Sequence, residues 1–195
     1  MRSGWMPATQ PPTLHAFLKR ETRDLHDRVE TGFDLTGRVR SLDGYRGALL
    51  ALHHLHGVAG AALDAVDWRG EAVDTDRMAT RRGWLADDLR ALGYDVPPPS
   101  SQRLDLDGPV EALGCLYVLE GSMLGGRVIY RTIGSALGIG SANGGRYFCG
   151  FGSGTAGAWS EFVTVLDTHA VAADGAAALR GARKTFALFE APALT

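Results

Sequence analysis

Residues 113–130 read Leu113-Gly-Cys-Leu-Tyr-Val-Leu-Glu-Gly-Ser-Met-Leu-Gly-Gly-Arg-Val-Ile-Tyr130. The apolar positions are spaced as in one long helix, yet Gly121, Gly125 and Gly126 stand at its centre. Each interior glycine costs a helix roughly 1 kcal/mol relative to alanine. What it offers in return is a missing side chain, so that another backbone or a flat ligand can lie directly on the helix. Spacings of four and five put the three glycines near one face. Whatever that face touches is the expected function.

Outward from this segment the periodicity is helical throughout, with no β alternation. A first helix is expected from about Thr13 to Glu30, capped by Thr13, with Leu14, Phe17, Leu18, Leu25 and Val29 on its apolar side. Ser41 or Asp43 caps a second over about 45–66. A third covers about 75–92, stopped by Gly93 and followed by the Pro97-Pro-Pro-Ser-Ser connection. The glycine-bearing helix starts near Pro109 and reaches about Leu137. Two further helices are expected over about 158–168 and 172–190, after the glycine-rich stretches 138–145 and 150–157. The expected architecture is an all-α, single-domain helical bundle over residues 13–195, with residues 1–12 as a flexible N-terminal lead-in.

Composition sets outer limits. The chain has 195 residues, enough for one domain with a sizeable core. The formal net charge of −2 gives no global pull toward nucleic acid or an anionic membrane. No uninterrupted apolar run approaches the ~18 residues of a spanning helix, and residues 1–12 lack the apolar core of a signal peptide. The expectation is a cytoplasmic protein with no nucleic-acid or membrane partner. Cys115 and Cys149 are not in a CxxC pair, and two reduced thiols are expected.

Six histidines are the first candidates for chemistry. His53, His54 and His56 cannot all share a helix face, and are expected to be surface or half-buried. His26 is different: Glu30 lies one turn on and Lys19 seven residues back, on the same face. A histidine oriented by a carboxylate suits metal ligation, and a merely solvated charged face has the same pattern. Glu111, Glu120 and Glu161 raise a di-iron bundle, but that site needs ExxH pairs and the sequence has none. These glutamates are expected at the surface or at caps.

Three segments together carry a resemblance. Leu14-His-Ala-Phe-Leu-Lys-Arg-Glu-Thr22-Arg-Asp-Leu-His26-Asp-Arg-Val-Glu30 is the first, Leu116-Tyr-Val-Leu-Glu-Gly121-Ser-Met-Leu-Gly125-Gly126-Arg-Val-Ile the second. The third is Arg146-Tyr-Phe followed by Trp159-Ser-Glu-Phe-Val-Thr-Val-Leu-Asp. With these the chain resembles the bacterial biliverdin-producing haem oxygenases, of the type associated with bacterial phytochromes. The resemblance implies a haem oxygenase fold and an oxidoreductase in which haem is both cofactor and substrate. Haem would be held between the first helix and the glycine helix, and cleaved with O2 and an external electron donor to biliverdin, CO and iron. It implies His26 as the axial iron ligand and Glu30 as the partner of its imidazole. Gly121, Ser122, Gly125 and Gly126 would form the opposite wall. Lys19, Tyr117 and Arg127 would be further haem-binding residues. The implied partners are a reductase or ferredoxin and a bacteriophytochrome receiving the product.

Many relatives carry an aspartate where this chain has Ser122, a hydroxyl without charge. Met123, soft and apolar, stands where relatives are often polar. The alternative class is therefore a haem- or bilin-binding protein of the same fold that does not turn haem over: a carrier, sensor or regulator. Arg131, Arg180, Arg183 and Lys184 join Lys19 and Arg127 as cations for the haem propionates.

Overall fold

The computed structural model describes residues 12–190, so all but one residue of the expected lead-in (1–12) lies outside the described residues. Nine α-helices, one short 3-10 helix (Gly152–Gly154) and no strand occur among them; the α-helices are numbered in chain order. They are α1 (Leu14–Glu21), α2 (Arg23–Phe33), α3 (Leu35–Arg38), α4 (Leu42–Asp64), α5 (Thr75–Ala91), α6 (Gly108–Leu137), α7 (Arg146–Cys149), α8 (Thr155–Leu166) and α9 (Val171–Glu190).

Capping residues set most of the starts. The hydroxyl of Thr13 accepts from Ala16 N–H, that of Ser41 from Gly44 N–H, and the carboxylate of Asp74 from Arg77 N–H. Ser41 thus starts α4 at Leu42, a turn earlier than the periodicity suggests. The expected first helix is two. At the buried Thr22 the backbone leaves helical geometry (φ −112°, ψ 5°), and its hydroxyl donates back to Leu18 C=O at 2.8 Å. Asp34 ends α2 in the left-handed region (φ 37°) and also caps α3. Neither α3 nor α7 is visible in the periodicity, because one turn is too short to show it.

The spine is α6 packed along α9. Gly114 and Gly181 set their separation. A Cβ on Gly114 would stand 1.8 Å from Ala178 O, and one on Gly181 1.8 Å from Glu111 O. On one side, Leu14, Leu18, Leu113, Leu116, Phe162, Leu166 and Ala182 form a core with Leu55 and Leu63 of α4. On the other, Tyr45, Leu49, Leu52, Trp84, Leu85, Ile129, Ile133 and Phe148 join α4, α5, α6 and α7. Once folded, α6 does hold an 18-residue window with a mean hydropathy of 1.3, long and apolar enough to cross a membrane. No unbroken apolar run of that length occurs in it, and the window is 61% buried within the bundle, as suits a core helix.

Candidate functional site: a slot between a histidine helix and a glycine helix

Both α2 and α6 pack on α9, but α2 does not pack along α6. The two approach each other near the ends of α2. At one end the Tyr117 phenol comes close to Thr22 at the α1–α2 break, and at the other α3 meets α6. His26 lies four residues beyond Thr22 and Glu30 eight. Gly121 lies four beyond Tyr117 and Gly125 eight. At 1.5 Å per residue, each pair lies about 6 and 12 Å along its own helix from the Thr22–Tyr117 approach.

One wall carries an exposed imidazole. His26 Nδ1 lies 3.8 Å from Glu30 Oε2 and 3.9 Å from Asp27 Oδ1. That is too long for a direct hydrogen bond, though a water would bridge it. With Nδ1 turned toward carboxylates, Nε2 is the nitrogen left to ligate. Lys19, on α1, is exposed beyond the break.

The other wall is α6, and here the three glycines do not share a face. A Cβ on Gly125 would meet nothing within 4 Å, and one on Gly121 would touch only the Trp159 ring at 3.6 Å. Gly126 is buried, its Cβ position 3.3 Å from Phe148 O, so it serves the packing of α7. A turn of 100° separates neighbouring residues, enough to carry Gly126 off the face that Gly121 and Gly125 share. Leu124 (46% exposed) and Val128 (49%) continue the open face. Arg127 is exposed, while Tyr117 is half-buried against His15 and Trp159. Met123 turns inward to the core and packs under Gly150, away from the open face.

Behind α6 is a buried polar cluster that sequence reasoning missed. Glu120, expected at the surface or at a cap, forms a buried ion pair with Arg81, which also donates to Leu119 C=O at 2.8 Å. His56 is buried rather than superficial, with Nε2 2.8 Å from the Tyr147 hydroxyl. Burial first, then the charges of Arg81, Arg82 and His53, hold its pKa well below the ordinary value, so the ring is neutral. Burial pushes the Tyr147 phenol up, while the nearby Arg81 charge and the neighbouring Ser122 hydroxyl pull the other way. Ser122 itself is exposed on α6 and donates to Leu119 C=O at 2.7 Å. It thus joins the open face to the cluster. No single-helix spacing carries these contacts; the one signal was Arg81 in a helix otherwise rich in exposed charge.

Glu111 is likewise buried rather than superficial. It pairs with Lys184 and, at 3.4 Å, with Arg180, so two of the candidate propionate cations are already engaged on the α6–α9 seam. Glu161 is exposed, as expected, and binds Arg77 at 2.8 Å.

The structure defines an all-α bundle that exposes a histidine on α2 and a glycine-bearing apolar strip on α6. The comparisons with known proteins make this specific. The chain matches the Heme oxygenase family over residues 13–192. It is 36% identical over 153 residues to a heme oxygenase of Xanthomonas campestris pv. campestris (strain 8004), covering 75% of this chain and 87% of that one. Heme oxygenase PigA of Pseudomonas aeruginosa is 36% identical over 81 residues, 41% of this chain and 40% of that one. The NO- and CO-bound heme oxygenase of Neisseria meningitidis shares the fold, with a TM-score of 0.79 at 23% identity over 91% of this chain and 88% of the other. The chain belongs to the haem oxygenase family, and is an oxidoreductase that cleaves haem to biliverdin.

Proposed function

We propose that haem is bound and cleaved in the slot between α2 and α6, with His26 on one face of the macrocycle and the Gly121–Val128 strip on the other. The observation that carries this reading is the strip itself. Leu124 and Val128 are two of only three strongly exposed large hydrophobic residues described, and they flank Gly125, where no neighbour approaches. An apolar strip held open beside a ligating histidine fits a flat apolar ligand.

Bound haem supplies the iron that takes up O2 and the ring that is opened, with electrons from an external reductase or ferredoxin. The chain's own residues do the rest. His26 Nε2 holds the iron, and Glu30 keeps its ring oriented through Nδ1. Gly121 and Gly125 let the α6 backbone lie against the macrocycle. Lys19 and Arg127, both exposed, are the cations we assign to the propionates, and Tyr117 closes one end. Ser122 carries no charge, but its hydroxyl donates and accepts at once. It moves protons to the open face, while the Tyr147 phenol and the neutral His56 ring behind it replenish them. We also propose that the biliverdin passes to a bacteriophytochrome.

Haemin titration followed by ascorbate under air tests this. A Soret band that converts to bilin is expected. No Soret band at micromolar haem overturns the site, and a stable band without bilin leaves a haem carrier. His26→Ala should abolish the axial-ligand spectrum; an unchanged spectrum removes His26 from the role.

A further inference from the structure

Asp88 lies on α5 and is 98% buried, since only 2% of its surface is exposed. Its carboxylate does not touch the slot. One oxygen accepts from the backbone N–H of Arg146 and the other from that of Tyr147, each at 2.8 Å. These are the first two residues of α7, whose N–H groups have no partner within so short a helix. Two further contacts fix the same segment. Tyr45 donates its hydroxyl to Gly144 C=O at 2.6 Å, and the Arg146 guanidinium stacks on Trp84 at 4.1 Å.

The consequence falls on one side chain. Tyr147 leaves α7 with its ring edge-on to His56 (centroids 5.4 Å apart, 78° between planes) and its hydroxyl among His56, Ser122 and Arg81. A phenol swings on its backbone, so its aim is set by whatever holds α7. We propose that Asp88 is a positioning residue for haem cleavage: by clamping the start of α7 it aims the Tyr147 hydroxyl at Ser122 and His56. The haem reading of the slot underlies the kinetic consequence alone; the clamp itself is independent of it.

The test is a double-mutant cycle with two readouts. In the haem-free chain, the ring-nitrogen signals of His56, labelled with ¹⁵N and assigned by their loss in His56→Gln, report the bond to Tyr147. Asp88→Asn keeps the shape but sets an NH2 against an N–H, and should move those signals to where Tyr147→Phe puts them. In the haem-loaded enzyme, Asp88→Asn and Tyr147→Phe should each slow bilin formation by about tenfold, on the scale of a misplaced proton donor. The double variant should be no slower than Tyr147→Phe alone, because both changes remove the same contact.

Unmoved His56 signals in Asp88→Asn, or losses that multiply in the double variant, overturn the inference. Should Asp88→Asn not fold, Asp88→Glu keeps the charge and displaces the acceptor by one methylene. The His56 signals should shift there too, and an unmoved spectrum counts against the clamp. A wild-type chain that binds no haem removes the slot reading and leaves the His56 spectrum to decide this one.

Discussion

Gly125 and Gly126 are adjacent and do opposite work. Gly125 has no atom within 4 Å of its Cβ position, so a side chain starts there into open space, where the proposed haem would lie. Gly125→Leu should leave the haem-free chain at least as stable, by up to about 1 kcal/mol of helix propensity, while haem affinity falls by about tenfold or more. At Gly126 the Phe148 carbonyl is 3.3 Å away. Gly126→Leu should cost about 1–3 kcal/mol, the usual penalty of overpacking, before haem is added. Chemical denaturation of the haem-free variants beside haemin titration separates the two effects. Equal haem binding by Gly125→Leu and the wild type would make that glycine a packing residue after all.

At the scale of the element, the α6–α9 crossing is where the fold is least forgiving. Ala178 O and Glu111 O occupy the positions a methyl group would take on Gly114 and Gly181. Gly114→Ala must push the two longest-packed helices apart, and a loss of about 2 kcal/mol or more is expected against a gain of about 1 from helix propensity. A thermal midpoint at or above wild type would show the crossing to be softer than its geometry. This scale also shows what was legible in the chain. The five long helices after the first, α4, α5, α6, α8 and α9, stand close to where apolar period and caps placed them, since their stripes run for three turns or more. The break at Thr22 was hidden, because a buried threonine bonding back to Leu18 looks in sequence like any helical threonine. His26, Lys19 and the glycines could be singled out because each lies on one helix. Arg81, Glu120, His56, Tyr147 and Asp88 could not, because their meaning is mutual and spans α4, α5, α6 and α7.

The whole molecule carries the cost of its buried neutral histidine. His56 in the folded chain resists a proton that the unfolded chain accepts below a pKa of about 6.5. Its contribution to stability is therefore complete above that pH and is lost as pH falls beneath it, by up to about 1.4 kcal/mol per pH unit. Urea midpoints should be flat from pH 8 to 7 and decline from pH 6.5 to 5.5, before most carboxylates titrate. His56→Gln should flatten that decline. An equal slope in the variant would place the titrating group elsewhere.

The open strip on α6 has a consequence for the chain before its ligand arrives. Leu124 and Val128 lie bare beside two glycines that offer no side-chain cover, on the helix with the most apolar window described. Such a ridge is adhesive. Haem-free chains should self-associate as concentration rises, and each equivalent of haemin should return them to monomers by occupying the ridge. Light scattering during a haemin titration would show this as a fall in apparent mass that ends at one haem per chain. The ligand this enzyme destroys would then also be the one that keeps it dispersed, so that exhausting the substrate returns the catalyst to a sticky, reversible reserve.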